Sequence, residues 1–224
     1  RPDVPGLPDA HDGVPVQRRV TGLIMAFSDP TTRVRPAPVG FSVGHPLITG
    51  GTIGARVINS SQQLFVLSNN HVLANSNSAS IGDATWQPGA FDGGTSADQV
   101  GTLAAFKPIN FSGGNNTIDA AIALTDALSV GNSTPTDDGY GMPSAQVWGD
   151  GNNDGLFDNK NALLGLPVQK YGRTTKLTHG TVTGINATLS ICYEVLIIFC
   201  VKSATFVDQL VIEPGVFSGG GDSG

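Results

Sequence analysis

The sequence predicts an all-β protein, and three observations support this prediction. Short apolar runs of strand length recur along the chain and alternate with turns, for example at 64–67, 120–124 and 204–212. The 224 residues include 30 glycines and 14 prolines, which favour turns and interrupt helices. Charged residues make up only 13% of the chain, about half the usual share. We therefore expect many tight turns and no long amphipathic helix.

The predicted elements divide the chain into an extended arm (1–19), a first β unit (20–125), a connection (126–167) and a second β unit (168–224). Four prolines among the first fifteen residues favour the extended arm. Strands at 51–58 and 64–67 are predicted to pair across the turn between them. The connection is rich in Gly, Asp, Asn and Pro. The second β unit is predicted to begin near 168–171, and alternation of apolar residues with Thr and Gly predicts a strand-turn-strand at 172–185.

Charge and hydropathy argue against two classes of partner, nucleic acids and membranes. The net charge is −6 and the Lys and Arg residues form no run, so binding to nucleic acid or to anionic membranes is disfavoured. The longest apolar stretch, 195–199, has the length of a strand and is far too short to cross a bilayer as a helix. We expect neither nucleic-acid nor membrane partners.

Three polar residues occur in contexts that suit nucleophilic catalysis. Ser223 lies in a Gly-Asp-Ser-Gly segment, where flanking glycines allow a tight turn and close approach of a substrate. His71 follows an apolar strand, and Asp119 opens another. Taken alone, each has an ordinary structural interpretation: a surface histidine, a turn-forming aspartate and a loop serine. Their joint order and context favour a catalytic triad.

The physical roles of the three residues follow from their chemistry. A serine hydroxyl is a weak nucleophile at neutral pH and needs a base within hydrogen-bond reach, which His71 would provide. Asp119 would fix the imidazole tautomer and stabilise the imidazolium. The backbone N–H groups of Gly221 and Ser223 would form the oxyanion hole, with Ser218, Gly219 and Gly220 lining the approach.

Four motifs together resemble the bacterial branch of the chymotrypsin (trypsin-like) serine protease superfamily. They are Ser-Asn-Asn-His-Val-Leu-Ala at 68–74, Asn-Asn-Thr-Ile-Asp-Ala-Ala-Ile-Ala at 115–123, Gly-Arg-Thr-Thr followed by Thr-His-Gly-Thr-Val at 172–182, and Gly-Gly-Asp-Ser-Gly at 220–224. The resemblance implies two antiparallel, six-stranded β-barrels with the triad between them. It also implies an endopeptidase that cleaves protein or peptide substrates through an acyl-enzyme and requires no cofactor. Val72 departs from animal members, many of which carry a Cys there.

Family members continue beyond the nucleophile with strands that complete the second barrel. The second barrel is therefore expected to be incomplete in this chain. Three interpretations stay open: a truncated sequence, a separate C-terminal chain, or a partner that completes the barrel. The residues just before the nucleophile include one acidic side chain, Glu213, so a preference for Lys or Arg is not supported.

Two cysteines, Cys192 and Cys200, flank the apolar stretch noted above. In a hairpin they would lie near each other and form a disulfide, which would indicate an exported, extracellular protein. The alternative is a pair of buried free thiols. No Cys-x-x-Cys pair suggests a zinc or redox site.

Residues 150–161 resemble a calcium-binding loop. Asp150, Asn152, Asp154 and Asp158 place oxygen ligands at positions 1, 3, 5 and 9, with Gly155 at position 6. Asn161 replaces the bidentate Glu of position 12, which would weaken binding. A structural calcium ion and a polar surface loop both remain open.

Two other functions compete with the protease. One is a non-catalytic protein-binding module on the same fold. The other is a calcium-stabilised structural or adhesion domain built around 150–161. Hydrolysis of an activated ester separates the protease from both.

Overall fold

The computed structural model describes residues 10–12, 14–15, 28–152, 154 and 158–224. Strands are the predominant regular elements of these residues, which confirms the all-β class. The strands are Ala10–His11 (β1), Val14–Pro15 (β2), Ala55–Ile58 (β3), Leu64–Ser68 (β4), Ala84–Trp86 (β5), Gln99–Phe106 (β6), Asn115–Asn116 (β7), Ala121–Thr125 (β8), Pro167–Gly172 (β9), Lys176–Leu196 (β10) and Phe199–Glu213 (β11). The helical elements are one α-turn, Asn70–Leu73 (α1), and four 3₁₀ turns, Ala90–Asp92, Ser96–Asp98, Lys160–Leu163 and Gly215–Phe217.

The first large sheet has five strands in the order β3-β4-β8-β6-β5, all antiparallel. The predicted β3–β4 hairpin is observed. Asn59 shapes its turn, because its side-chain oxygen accepts hydrogen bonds from the N–H groups of Ser61 and Gln63. A buried, irregular segment around 42–44 forms single bridges to Thr52, which precedes β3, and to Trp86 in the edge strand β5.

The main hydrophobic core lies against this first sheet. It contains large side chains from the irregular segment, from β4 and from α1, such as Phe41, Val66 and Leu73. Asn70, Val72 and Leu73 are fully buried, so α1 is anchored by three of its four residues. Burial of this kind is what fixes the chain on either side of His71.

The second large sheet has four strands in the order β7-β11-β10-β9. β9 lies where the second β unit was predicted to begin, and the strand-turn-strand predicted at 172–185 is observed as the end of β9, a turn and the start of β10. β10 and β11 form a long antiparallel hairpin with several register shifts. β7 pairs in parallel with β11, although its residues fall within the predicted first β unit.

The resemblance implied a closed first barrel and an incomplete second one. In the described residues both sheets are open, so the second is open as expected and the first departs from the expectation. In the first sheet, isolated bridges from 42–44 replace the continuous ladder that closure would need. The strand predicted at 20–27 and most of the predicted arm at 1–19 lie outside the described residues. Within the described ranges, no helix has the length and apolar character that a membrane span requires.

Candidate active site

His71 is positioned by the end of β4 and the short turn α1. Asn69 precedes α1 without capping it, and its side-chain amide donates instead to the Asp119 carbonyl oxygen at 2.7 Å. Asn70 is fully buried and donates to the Lys107 carbonyl oxygen at 2.7 Å. With its neighbours Asn70 and Val72 held inward, the imidazole of His71 is left partly open, with 29% of its side chain exposed.

The carboxylate of Asp119 lies directly behind this imidazole. Nδ1 of His71 is 2.6 Å from Oδ2 of Asp119, and the backbone N–H of His71 donates to Oδ1 at 3.2 Å. Only 12% of the Asp119 side chain is exposed. The structure thus joins the predicted His and Asp in a close hydrogen-bonded pair.

The electrostatics of the pair determine which imidazole nitrogen carries the proton. Burial by itself would raise the pKa of Asp119, but the hydrogen bonds and charge of its partners outweigh this effect and lower that pKa below its ordinary value. The carboxylate is therefore ionised near neutral pH and can only accept hydrogen bonds. Nδ1 of His71 must then donate, which leaves Nε2 of the neutral ring as an acceptor facing away from Asp119.

The turn that carries Ser223 is held by the buried carboxylate of its neighbour Asp222. Only 2% of the Asp222 side chain is exposed. Its two oxygens accept hydrogen bonds from the N–H groups of Thr174, Thr175 and Gly219, from the Thr175 hydroxyl at 2.6 Å and from the Lys170 ammonium at 3.0 Å. Burial opposes ionisation of Asp222, but these donors prevail and lower its pKa to about 2.

The Gly-Arg-Thr-Thr segment at 172–175 is the structural partner of this turn. A Cβ at Gly172 would lie 2.4 Å from the Asp222 carboxylate, so a side chain there would displace it. Both segments are among the motifs that carry the family resemblance, but the donors that Thr174 and Thr175 supply to Asp222 were not foreseen.

Thr52 connects the same turn to the first sheet. Its N–H donates to the Ser223 carbonyl oxygen at 2.7 Å and its hydroxyl donates to the Gly221 carbonyl oxygen at 2.8 Å. Its own carbonyl oxygen accepts from the hydroxyl of Ser68, three residues before His71. This chain of contacts brings the serine turn against the segment that carries the histidine.

The backbone of the turn is compatible with the predicted oxyanion hole. Gly221 has φ +94°, a conformation that a side chain would strain. The N–H groups of Gly221 and Ser223 have no acceptor among the described residues, so both remain available to a ligand. The described geometry thus leaves the two predicted donors unused.

His71, Asp119 and Ser223 line one open cleft of about 510 Å³. Most of the other lining residues belong to the β10–β11 hairpin or directly precede Asp119. They are Asn69, Thr117, Ile118, Leu189, Ile191, Cys192, Tyr193, Phe206 and Gln209. Within the described part of the chain, the Ser223 hydroxyl forms no hydrogen bond with His71. Catalytic hydrogen bonds are often long without substrate, so this geometry is consistent with a triad.

Tyr193 was not identified from the sequence. Its hydroxyl donates to Oδ2 of Asp119 at 2.9 Å. A tyrosine adjacent to a predicted disulfide cysteine was the one available signal, but no sequence pattern indicated that the hairpin would reach Asp119.

The predicted disulfide is present between Cys192 and Cys200. Their Cα atoms are 5.8 Å apart, and the bond links β10 to β11 near the hairpin end. It therefore restrains the strand segment next to Tyr193.

The calcium prediction remains untested. Within 150–158 the side-chain oxygens accept backbone hydrogen bonds: Asp154 N–H donates to Asp150 and to Asn152, and Gly151 N–H donates to Asp158. Among the residues that the structure describes, no three His, Cys, Asp or Glu side chains cluster as metal ligands. Asn153 and residues 155–157 lie outside the described set.

No family model and no curated protein matches the chain. Solved structures that are similar to it include protease A of Thermobifida fusca, with 16% identity, a TM-score of 0.47, and 84% of this chain and 74% of the other covered. A Nocardiopsis protease has 18% identity and a TM-score of 0.45, with coverages of 84% and 75%. A glutamic-acid-specific serine protease that uses a histidine triad in substrate binding has 18% identity and a TM-score of 0.47, with coverages of 83% and 75%.

These three similar structures are all proteases. At these identities and TM-scores the similarity carries no argument about the family, activity or specificity of this chain. The functional proposal accordingly depends on the geometry of the cleft.

Proposed function

We propose that the protein is a serine endopeptidase in which Ser223 is the nucleophile, His71 the general base and Asp119 the residue that orients His71. The observation that carries this proposal is the 2.6 Å His71–Asp119 pair in the same cleft as Ser223. The pair leaves Nε2 of His71 as the proton acceptor that a serine nucleophile needs.

The reaction proceeds in two halves. Nε2 of His71 takes the hydroxyl proton as Oγ of Ser223 attacks the substrate carbonyl, and the imidazolium then donates this proton to the leaving amine. The resulting acyl-enzyme is hydrolysed by a water molecule that His71 deprotonates in the same way. Asp119 stays ionised throughout and stabilises the imidazolium.

The negative charge that develops on the substrate oxygen requires donors. The unused N–H groups of Gly221 and Ser223 are in the same turn as the nucleophile and are the proposed donors. Removing one such donor typically costs about 3–4 kcal/mol of transition-state stabilisation. The substrate is a protein or peptide, and the disulfide favours an extracellular setting.

The proposal is tested by hydrolysis of an activated ester and of a fluorescence-quenched, unfolded protein substrate. The purified protein should hydrolyse both, and Ser223→Ala should reduce both rates about 10³-fold or more. Ser60→Ala, an exposed serine in the β3–β4 turn, is the matched control and should retain full activity. A folded wild-type protein without either activity would support the binding-module alternative.

A further inference from the structure

The hydroxyl of Tyr193 has a contact that the proposed triad does not require. It donates to Oδ2 of Asp119, the same oxygen that accepts from Nδ1 of His71. Among the described residues, the only other hydrogen bond to this carboxylate comes from the His71 backbone. Tyr193 is therefore the one side chain outside the triad that holds the Asp119 carboxylate in place.

The ring of Tyr193 is itself held on three sides. It lies edge-on to Phe111 with the ring centroids 5.2 Å apart, and 6.4 Å from Phe206, which is buried. It also meets the His71 imidazole edge-on at 5.7 Å. These contacts leave the hydroxyl little freedom to leave Asp119.

The strand beneath the ring is restrained by neighbouring contacts. Cys192 is bonded to Cys200 across the hairpin. On the other side of Tyr193, Glu194 pairs with the Lys202 ammonium at 3.0 Å. The same ammonium lies 4.5 Å from the centroid of the Phe111 ring. Contacts on both sides thus fix the backbone position from which Tyr193 reaches Asp119.

We propose that Tyr193 is a positioning residue for the His71–Asp119 pair, an inference that rests on the proposed protease function. A carboxylate can rotate about its own axis, and a second fixed donor on Oδ2 limits that rotation. With Oδ2 fixed, the imidazole keeps the orientation in which Nδ1 donates to Asp119 and Nε2 remains an acceptor. The disulfide-linked hairpin thereby becomes part of the catalytic arrangement without contacting the reacting atoms.

Tyr193→Phe tests the proposal because it removes the hydroxyl and keeps the ring among its aromatic neighbours. We expect kcat to fall about tenfold, the effect of losing one hydrogen bond to a charged group, while KM changes less than about twofold. Tyr171→Phe is the matched control. It removes the buried tyrosine hydrogen bond to Asp138, at 2.8 Å, from outside the cleft, and should lower the thermal midpoint without lowering kcat.

A second measurement tests the positioning without depending on turnover. The Nδ1 proton of His71 should give a downfield ¹H NMR resonance because it donates to a buried carboxylate. This resonance should move or exchange faster in Tyr193→Phe and stay unchanged in Tyr171→Phe. An unchanged resonance in Tyr193→Phe would overturn the inference. If the wild-type protein is active, an unchanged kcat in Tyr193→Phe would overturn it as well. A wild-type protein without hydrolytic activity would instead overturn the protease function, and the resonance would still decide the role of Tyr193.

Discussion

The His71 segment (68–74) and the hairpin end (192–200) reach the same cleft but are stabilised in opposite ways. In the His71 segment, Ser68, Asn70, Val72, Leu73 and Ala74 are buried in or beside the main core. In the hairpin end, the five apolar residues from Val195 to Phe199 are each between 63% and 87% exposed. Packing fixes the first region, whereas a disulfide and a few polar contacts fix the second.

The difference shows that the His71–Asp119 pair combines two kinds of support. Burial gives His71 its backbone position, because moving it would disrupt the core. Asp119 is held by the Asn69 amide, which donates to its carbonyl oxygen. The hairpin adds one hydrogen bond from outside, through Tyr193. Changes in the two regions should therefore affect stability and activity in different proportions.

The largest expected effect is a difference in the free energy of unfolding between two leucine-to-alanine variants, one in each region. Leu73→Ala would leave a cavity in the core and should lower the free energy of unfolding by about 2–5 kcal/mol. Leu196→Ala removes the same atoms from an exposed site and should change it by less than about 0.5 kcal/mol. Urea denaturation of both variants measures the difference. Equal losses would mean that the hairpin end is packed as tightly as the core.

Breaking the disulfide should have an intermediate effect. A loop this short, closed by Cys192 and Cys200, contributes about 2–3 kcal/mol on the chain-entropy account. Reduction should therefore lower the thermal midpoint and also reduce kcat partially, because Tyr193 loses its restrained strand. The double variant Cys192→Ser, Cys200→Ser should behave like the reduced protein and show no response to reductant. If reductant changes neither the thermal midpoint nor the kcat of the wild-type protein, this account of the hairpin is contradicted.

The smallest expected effect is the loss of stability at acid pH that follows from protonation of Asp222, the residue before Ser223. The pKa of Asp222 is lowered in the folded protein to about 2 from an ordinary value of 3.8. A carboxyl group whose pKa is lower in the folded protein stabilises the fold at pH values above its unfolded-state pKa. That stability is lost as the pH falls through the folded-state pKa. Asp222 should thus contribute about 2 kcal/mol at neutral pH, lost between about pH 5 and pH 2.

The ¹³C resonance of the Asp222 carboxyl group measures this directly. Its titration midpoint should lie near 2. A midpoint close to 3.8 would show that the donors from Lys170, Thr174 and Thr175 do not hold the carboxylate as the structure describes.

Sequence alone predicted the parts of the molecule that depend on local patterns. The β3–β4 hairpin, the strand-turn-strand that begins β10, and the disulfide were all expected and are observed. The pairing of His71 with Asp119 was also expected, because motif order and context narrowed the choice of partners. Each of these predictions needed only short-range patterning or a small set of rare residues.

Contacts that depend on long-range geometry could not be predicted in this way. The apolar run at 195–199 has the composition of a buried strand, yet it forms the exposed end of a hairpin. Tyr193 and Asp119 meet only because β10 extends past the cleft. The donors around Asp222 likewise come from a segment about fifty residues earlier, as the Thr174 contact shows. No local sequence pattern predicts contacts between residues this far apart in the chain.

The most direct test of the central claim is to locate the nucleophile. The purified protein is treated with a fluorophosphonate, digested and analysed by tandem mass spectrometry. The account predicts one adduct on Ser223, absent from Ser223→Ala and formed far more slowly in His71→Ala. An adduct on another residue, or no adduct on a folded protein, would contradict a Ser223 nucleophile activated by His71 and Asp119.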